Sequence, residues 1–495
     1  MHHHHHHENL YFQGMVENNF PEDFKFGWSQ SGFQSEMGYD NAMDDKSDWY
    51  VWVHDKENIQ SGLVSGDMPE NGPGYWNNYK SFHEAAQNMG LKMARIGVEW
   101  SRLFPEPFPE KIMADAKNNS LEINNNILSE LDKYVNKDAL NHYIEIFNDI
   151  KNRNIDLIIN MYHWPLPVWL SDPVSVRKGI KTERSGWLND RIVQLFALFS
   201  SYIVYKMEDL AVAFSTMNEP NVVYGNGFIN IKSGFPPSYL SSEFASKVKN
   251  NILKAHSLAY DSMKKITDKP VGIIYANTYF TPLDPEKDND AIAKADSDAK
   301  WSFFDPLIKG DKSLGINGNK LDWIGINYYT RTMLRKDGDG YISLKGYGHS
   351  GSPNTVTNDK RPTSDIGWEF YPEGLEYVIM NYWNRYKLPM YVTENGIADN
   401  GDYQRPYYLV SHIASVLRAI NKGANVKGYL HWSLVDNYEW ALGFSPKFGL
   451  IGYDENKKLY WRPSALVYKE IATKNCISPE LKHLDSIPPI NGLRK

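Results

Sequence analysis

Two glutamates of this 495-residue chain lie where a strand would hand a carboxylate to a cavity. Glu219 stands in Ser215-Thr216-Met217-Asn218-Glu219-Pro220, and Glu394 in Tyr391-Val392-Thr393-Glu394-Asn395-Gly396. Each closes an apolar, β-prone run and meets a strand breaker, proline in one case and Asn-Gly in the other. They are too far apart in sequence for one local motif, so only a closed tertiary arrangement can bring them together. Two carboxylates flanking a cavity suit hydrolysis of an acetal: one gives a proton to the leaving oxygen, the other meets the developing cation. Spacing alone leaves open which glutamate plays which part.

The elements that must position them alternate in type. Eight β-like segments are visible: Phe24–Trp28, Lys92–Trp100, Asp156–His163, Ala211–Asn218, Val271–Asn277, Leu321–Tyr329, Met390–Glu394 and Lys427–Ser433. Amphipathic stretches such as Trp76–Met89, Asn141–Arg153, Asp190–Met207 and Phe244–Ile266 fall between them. Parallel strands need helical crossovers, so this alternation predicts an α/β protein, a single (β/α)8 TIM barrel. Two stretches read as long βα-loop insertions. Residues 101–140 are polar and helical, and 331–387 carry the hairpin-like run Arg335-Lys336-Asp337-Gly338-Asp339-Gly340-Tyr341.

Residues 1–14, with a run of six histidines and Glu8-Asn9-Leu10-Tyr11-Phe12-Gln13-Gly14, are an expression tag. The native chain then starts at Met15, and 15–495 reads as one barrel domain with no repeat or low-complexity linker. The net charge of −7 argues against nucleic acid or an anionic membrane as partner. The sequence has no apolar run of membrane-spanning length and no signal segment, which predicts a cytoplasmic protein. One cysteine, Cys476, excludes an internal disulfide and a multi-cysteine metal site. The 15 Trp, 32 Tyr and 21 Phe exceed what a core needs and suit a cleft that stacks sugar faces against rings.

Polar and aromatic groups recur at the predicted C-terminal ends of strands, the face on which barrels build active sites. Gln30 and Gln34 follow the first strand, Glu99-Trp100 the second, and His163-Trp164 the third. Asn327-Tyr328-Tyr329 end the sixth, and His431-Trp432, then Glu439-Trp440, end the last. His431 precedes Trp432 on its strand, so its side chain faces the other way and reads as structural. His163 has no second His or Cys at ligand spacing, which speaks against a metal.

These segments carry a resemblance. Phe26-Gly27-Trp28-Ser29-Gln30-Ser31-Gly32-Phe33-Gln34-Ser35-Glu36, Val98-Glu99-Trp100-Ser101-Arg102, Asn160-Met161-Tyr162-His163-Trp164-Pro165, both glutamate motifs, Tyr429-Leu430-His431-Trp432-Ser433-Leu434 and Glu439-Trp440 occur in order. From about Phe20 to Pro488-Pro489 the chain resembles glycoside hydrolase family 1, the retaining β-glycosidases, and its archaeal members above all. Bacterial and plant members usually have Ala-Thr-Ser where this chain has Trp28-Ser29-Gln30, a difference of subgroup rather than of chemistry.

The resemblance implies an exo-acting hydrolase of β-D-glucosides, β-D-galactosides and fucosides, with no cofactor. Glu219 is implied as acid/base and Glu394 as nucleophile, the latter supported by Arg95, Asn327 and Tyr329. Gln34, His163, Asn218, Glu439 and Trp440 are implied to grip the non-reducing sugar, with Trp432 stacked beneath it. Trp164, Trp368 and Phe448 are candidates for the apolar rim and leaving-group platform. Members acting on 6-phosphosugars replace the residue at Glu439, so unphosphorylated sugars are expected. Glu219 is glutamate rather than the glutamine of plant thioglucosidases, so ordinary O-glycosides and oligosaccharides are expected. The tail Leu481–Lys495 resembles tails that join subunits in archaeal relatives, which implies a homo-oligomer, a tetramer. A transglycosylase of the same family and a non-catalytic carbohydrate-binding barrel are the competing readings.

Overall fold

The structure, a computed structural model, describes residues 19–489; the tag and the last residues of the tail, 490–495, lie outside the described residues. Eight parallel strands follow one another around a ring, as the alternation predicts. They are β1 (Lys25–Ser29), β2 (Met93–Gly97), β3 (Asp156–Tyr162), β4 (Ala213–Asn218), β5 (Val271–Pro282) and β6 (Trp323–Asp337), then β8 (Met390–Glu394) and β9 (Val426–His431). A ninth strand, β7 (Gly340–Ser343), is the antiparallel return arm of a hairpin with β6. β1 pairs with β2 on one side and β9 on the other, and β5 pairs with β6, so the ring closes.

Helices return the chain between strands. In order they are α1 (Tyr75–Asn88), α2 (Lys137–Asn152), α3 (Ile192–Met207), α4 (Pro220–Phe228), α5 (Ser242–Lys264), α6 (Ser302–Ile308), α7 (Glu373–Tyr386), α8 (Arg405–Asn421) and α9 (Pro463–Lys474). Most show one apolar stripe, but α3 (IVQLFALFSSYIVYKM) is apolar on nearly every side. A helix of that kind needs cover all round. The 101–140 insertion supplies it: Gln194 of α3 accepts from the Leu121 amide (2.9 Å), and Tyr202 donates to Asp132 (2.6 Å). The insertion therefore pads the outside of the barrel rather than its mouth.

Alternation along the strands layers the barrel interior. Met93, Ile158, Ala213, Ile274, Trp323 and Leu430 point inward and form an apolar plug. One step up the strands the inward positions turn polar. Ser215 donates to Asn160 Oδ1 (2.8 Å), Thr393 donates to Asn327 Oδ1 (2.8 Å), and Arg95 lies fully buried. The next inward residues open on the cavity, so the plug holds the polar layer and that layer holds the site.

Three features differ from the sequence reading. β5 and β6 run well past Asn277 and Tyr329, because Thr278-Tyr279-Phe280-Thr281 and Thr330–Leu334 keep the β-branched and aromatic character that favours extended chain. The second insertion is shorter than 331–387: its last residues are α7, the crossover helix into β8. A small antiparallel pair, Ile451–Tyr453 with Leu459–Trp461, was too short to read from alternation. The described part of the tail forms a 3-10 turn, Pro479–Leu484, whose Leu481 and Leu484 are buried against its own chain. At the bottom of the barrel the start of the described chain meets the stretch that follows α9: Asn19 bridges Cys476, and the Phe20 amide donates to the Asn475 carbonyl (3.0 Å).

Candidate active site

A cavity of about 570 Å³ opens at the C-terminal ends of the strands. Its lining includes Gln34, His163, Trp164, Glu219, Tyr329, Trp368, Glu394, Trp432, Glu439, Trp440 and Phe448. Arg95, Asn218 and Asn327 stand directly behind it. The fourteen residues to which the resemblance gives catalytic, sugar-binding or rim roles thus converge on one place. Glu99 instead accepts from the Phe33 amide, and Tyr328 donates to the Tyr371 carbonyl.

Glu394 is the last residue of β8, and the pairing of β6 with β8 slips there, so that Asn327 faces Glu394. Such irregularities re-aim side chains at the rims of sheets. The Glu394 carboxylate is ion-paired with Arg95 and accepts from Tyr329 Oη (2.6 Å). The following turn runs hard against Trp432, whose amide donates to the Asn395 carbonyl (2.9 Å). A Cβ on Gly396 would lie 1.6 Å from the Trp432 carbonyl oxygen, so only glycine permits this approach. Gly396→Ala is expected to lower unfolding stability by about 3 kcal/mol or more, as overpacking does. Denaturant melts of the two proteins check this; equal midpoints would mean the turn has room.

Glu219 is placed by strain. It ends β4 in the left-handed region (φ +47°, ψ +56°), and Pro220 then starts α4. A non-glycine residue there costs about 1–2 kcal/mol and persists where the surroundings enforce it. Trp164 (φ +91°) and Trp440 (φ +49°) share this kind of backbone, so three lining residues are held in left-handed turns. Glu219 accepts from Asn327 Nδ2 (2.9 Å), and among the described residues no cation is bonded to it. Burial, and then the nearby Glu394 charge, push its carboxyl up to about 8. Asn218 Oδ1 accepts from both Asn327 (3.0 Å) and Arg95 (3.3 Å), so one amide oxygen ties together the supports of the two glutamates.

The remaining polar groups are fixed before any ligand arrives. Gln34 donates to the Tyr438 carbonyl (2.8 Å) and accepts from Ser31 (2.7 Å). His163 accepts from Arg95 through Nδ1 (2.9 Å), and its other nitrogen lies 2.9 Å from Asn218. Burial, and then the Arg95 charge, hold the imidazole well below its usual range, so it is neutral. Glu439 is pushed up to about 8 by burial and then by Glu394. Trp440 lies parallel to Phe33 (5.7 Å between centroids) and packs on Trp164 and Trp49 (4.6 Å each). Phe448 is buried with Trp432 and packs edge-on to Tyr329 and Trp368, so it backs the platform rather than edging it. His431 faces outward from the barrel interior, against Tyr429 and Tyr468 of α9.

The cavity is also lined by residues that the sequence reading did not single out, among them Asn221, Val222, Asn226, Lys232, His349 and Leu442. A usable signal existed for two of them. Positions three and seven after Glu219 share its side of a helix, which points to Val222 and Asn226. His349 and Leu442 sit on irregular loops, where no period marks direction.

One carboxylate paired with a guanidinium and hydrogen-bonded by a phenol, beside a second held protonated, divides the work as a double displacement at an acetal carbon does. A (β/α)8 barrel with that pair at its mouth is the architecture of a sugar hydrolase. The comparisons with known proteins agree. The chain matches Glycosyl hydrolase family 1 over residues 16–116, 126–315 and 312–477. It is 58% identical over 488 residues to the β-galactosidase of Saccharolobus solfataricus, covering 96% of this chain and 99% of that one. It is 39% identical to the β-galactosidase of Pyrococcus woesei over 94% of this chain and 99% of that one. The crystal structure of the β-glycosidase from Thermosphaera aggregans superposes with a TM-score of 0.89 at 46% identity, covering 95% and 100% of the two chains. The chain belongs to glycosyl hydrolase family 1. It is a β-glycosidase.

Proposed function

We propose that the chain hydrolyses unphosphorylated β-D-glucosides and β-D-galactosides, with fucosides as further substrates, from their non-reducing ends and with retention of configuration. The observation that carries this reading is the asymmetry of the two glutamates: Glu394 is bound to Arg95 and Tyr329, whereas Glu219 is shifted up to about 8. Glu394 attacks the anomeric carbon while Glu219 passes its proton to the leaving oxygen. Once Glu394 is esterified its charge is gone, and the Coulomb pressure on Glu219 goes with it. Glu219 then falls toward the ordinary carboxyl range and takes a proton from water, which cleaves the ester. The retaining geometry asks for carboxyl groups about 5–5.5 Å apart.

Gln34, His163, Asn218, Glu439 and Trp440 hold the hydroxyls of the glycone and Trp432 carries its face. Asn218 serves the 2-hydroxyl, where hydrogen bonds tighten in the transition state. Trp164, Trp368 and Phe448 shape the platform for the leaving group. A 6-phosphate would meet the Glu439 carboxyl in the cavity lining, which disfavours phosphorylated sugars. We treat 15–495 as one catalytic domain, acting in the cytoplasm as a homo-oligomer, a tetramer by preference. One similar structure is described as a mutant derived from a tetrameric hyperthermophilic β-glucosidase. Among the described residues no helix is long and apolar enough to cross a membrane.

Initial rates on four aryl substrates test the reading. The β-glucoside and β-galactoside are expected to turn over, and the α-glucoside and 6-phospho-β-glucoside are not. Turnover of the phosphorylated substrate alone would overturn the specificity argument. Inert behaviour toward all four, with sugar binding retained, would favour the binding-barrel reading.

A further inference from the structure

The stretch that leaves Glu219 builds one wall of the cavity outward. α4 starts at Pro220, so Val222 and Asn226 share the side of the helix nearest that glutamate, and both line the cavity. Lys232 and Ser233, in the short turn Ile231–Ser233, continue the wall. At a rise of about 1.5 Å per residue, Asn226 stands roughly 10 Å along the helix axis from Glu219. On the reading above Glu219 protonates the leaving oxygen, so a wall built outward from it borders the leaving group.

Most polar groups on this wall are already committed. Asn221 donates to the Ala276 carbonyl (3.0 Å), Asn277 accepts from Tyr382 (2.6 Å), and Thr278 donates to the Thr330 carbonyl (3.1 Å). Asn226 and Lys232 differ: among the described residues neither side chain has a hydrogen-bond or ion-pair partner. Lys232 is exposed, and it is the one lysine or arginine among the described lining residues. The other side chains there that can carry charge are two histidines and three glutamates, Glu219, Glu394 and Glu439. A solvated lysine on an ordinary surface needs no ligand. Here the one lysine or arginine of the lining shares, with an amide whose side chain is uncommitted, the wall that runs outward from Glu219 in a cavity whose reacting end is acidic.

We propose that Lys232 and Asn226 form a recognition point for a carboxylate on the leaving group. The favoured substrates are β-linked oligosaccharides whose reducing-end unit is an aldonic or uronic acid. This rests on the glycosidase reading above and names a substrate class within it. The anion would be kept from the glutamates by the length of the leaving group and drawn to Lys232. Screening by salt follows, since the contact is exposed.

The test compares kcat/KM for cellotriose, for its aldonic acid, and for a matching trisaccharide ending in glucuronate, in the wild type, Lys232→Met and Lys232→Glu. The readout is the acid-to-neutral ratio within each protein, so a general loss of activity or folding yield cancels. In the wild type at low salt the ratio is expected at about two- to fivefold in favour of at least one acid, the scale of an exposed ion pair. It is expected to fall to about one in Lys232→Met or in 0.5 M salt, and below one in Lys232→Glu. Preference for the aldonate or for the uronate alone identifies which carboxylate position is read. A wild-type ratio at or below one for both acids, or an unchanged ratio in Lys232→Met, would overturn the proposal. Failure of the wild type to cleave any aryl β-glycoside would instead sink the hydrolase reading beneath it.

Discussion

Glu394→Ala is expected to lower kcat on aryl β-glucosides by about 10⁴-fold or more, near 5.5 kcal/mol of transition-state stabilisation. The substitution removes the attacking oxygen, and it also leaves the Arg95 guanidinium and the Tyr329 hydroxyl facing an empty carboxylate-sized space. A buried cation without its partner is costly, so a small anion should be welcome there. Azide or formate is therefore expected to restore part of the turnover. The anion attacks from the side Glu394 occupied, in a single displacement, while Glu219 still protonates the leaving oxygen. The glycosyl azide formed should have the α configuration. Product analysis by NMR decides the matter: normal turnover without azide, or a β-azide, would mean that the roles of the two glutamates are exchanged.

Glu219→Ala is expected to behave as the complement. Substrates with poor leaving groups need its proton and should lose about 10²–10⁴-fold in kcat/KM. Dinitrophenyl glycosides need no proton, so their first step should be nearly preserved and the glycosyl-enzyme should accumulate as a burst. Azide now intercepts that intermediate and gives the β product, after two inversions. The pH profile follows from the sign of the shift. An acid raised to about 8 is loaded below that pH and lost above it, so wild-type kcat/KM should fall as pH rises through about 8. In Glu219→Ala that contribution to the alkaline limb should vanish. Whatever limb persists reports Glu439, which also titrates near 8, and Glu439→Gln identifies it. An unchanged limb in both variants would refute the assignment.

How much of this was legible beforehand follows from what periodicity can encode. The strands leading to Arg95, Asn218, Glu394 and Trp432 were readable because each is a short, mostly buried run between helical stretches, with polar or aromatic groups where it meets the cavity. The convergence of fourteen side chains followed once the ring closed. Insertions were harder. α7 begins with Glu373-Gly374, has a modest apolar stripe and follows a Pro- and Gly-rich loop, so it merged with the excursion before it. The left-handed turns at Trp164, Glu219 and Trp440 leave no mark in sequence, since glycine would be the usual signal and none is there. Lys232 and His349 lie on loops whose direction depends on contacts made far along the chain.

The meeting of Asn19 with Cys476 at the bottom of the barrel has a practical side. The first described residue is thereby held on the face opposite the cavity, against the stretch that follows α9. That geometry suits anchoring to a resin or fusion to a second enzyme through the N-terminal side, since the mouth then points away from the support. Substrate keeps free access in every such arrangement.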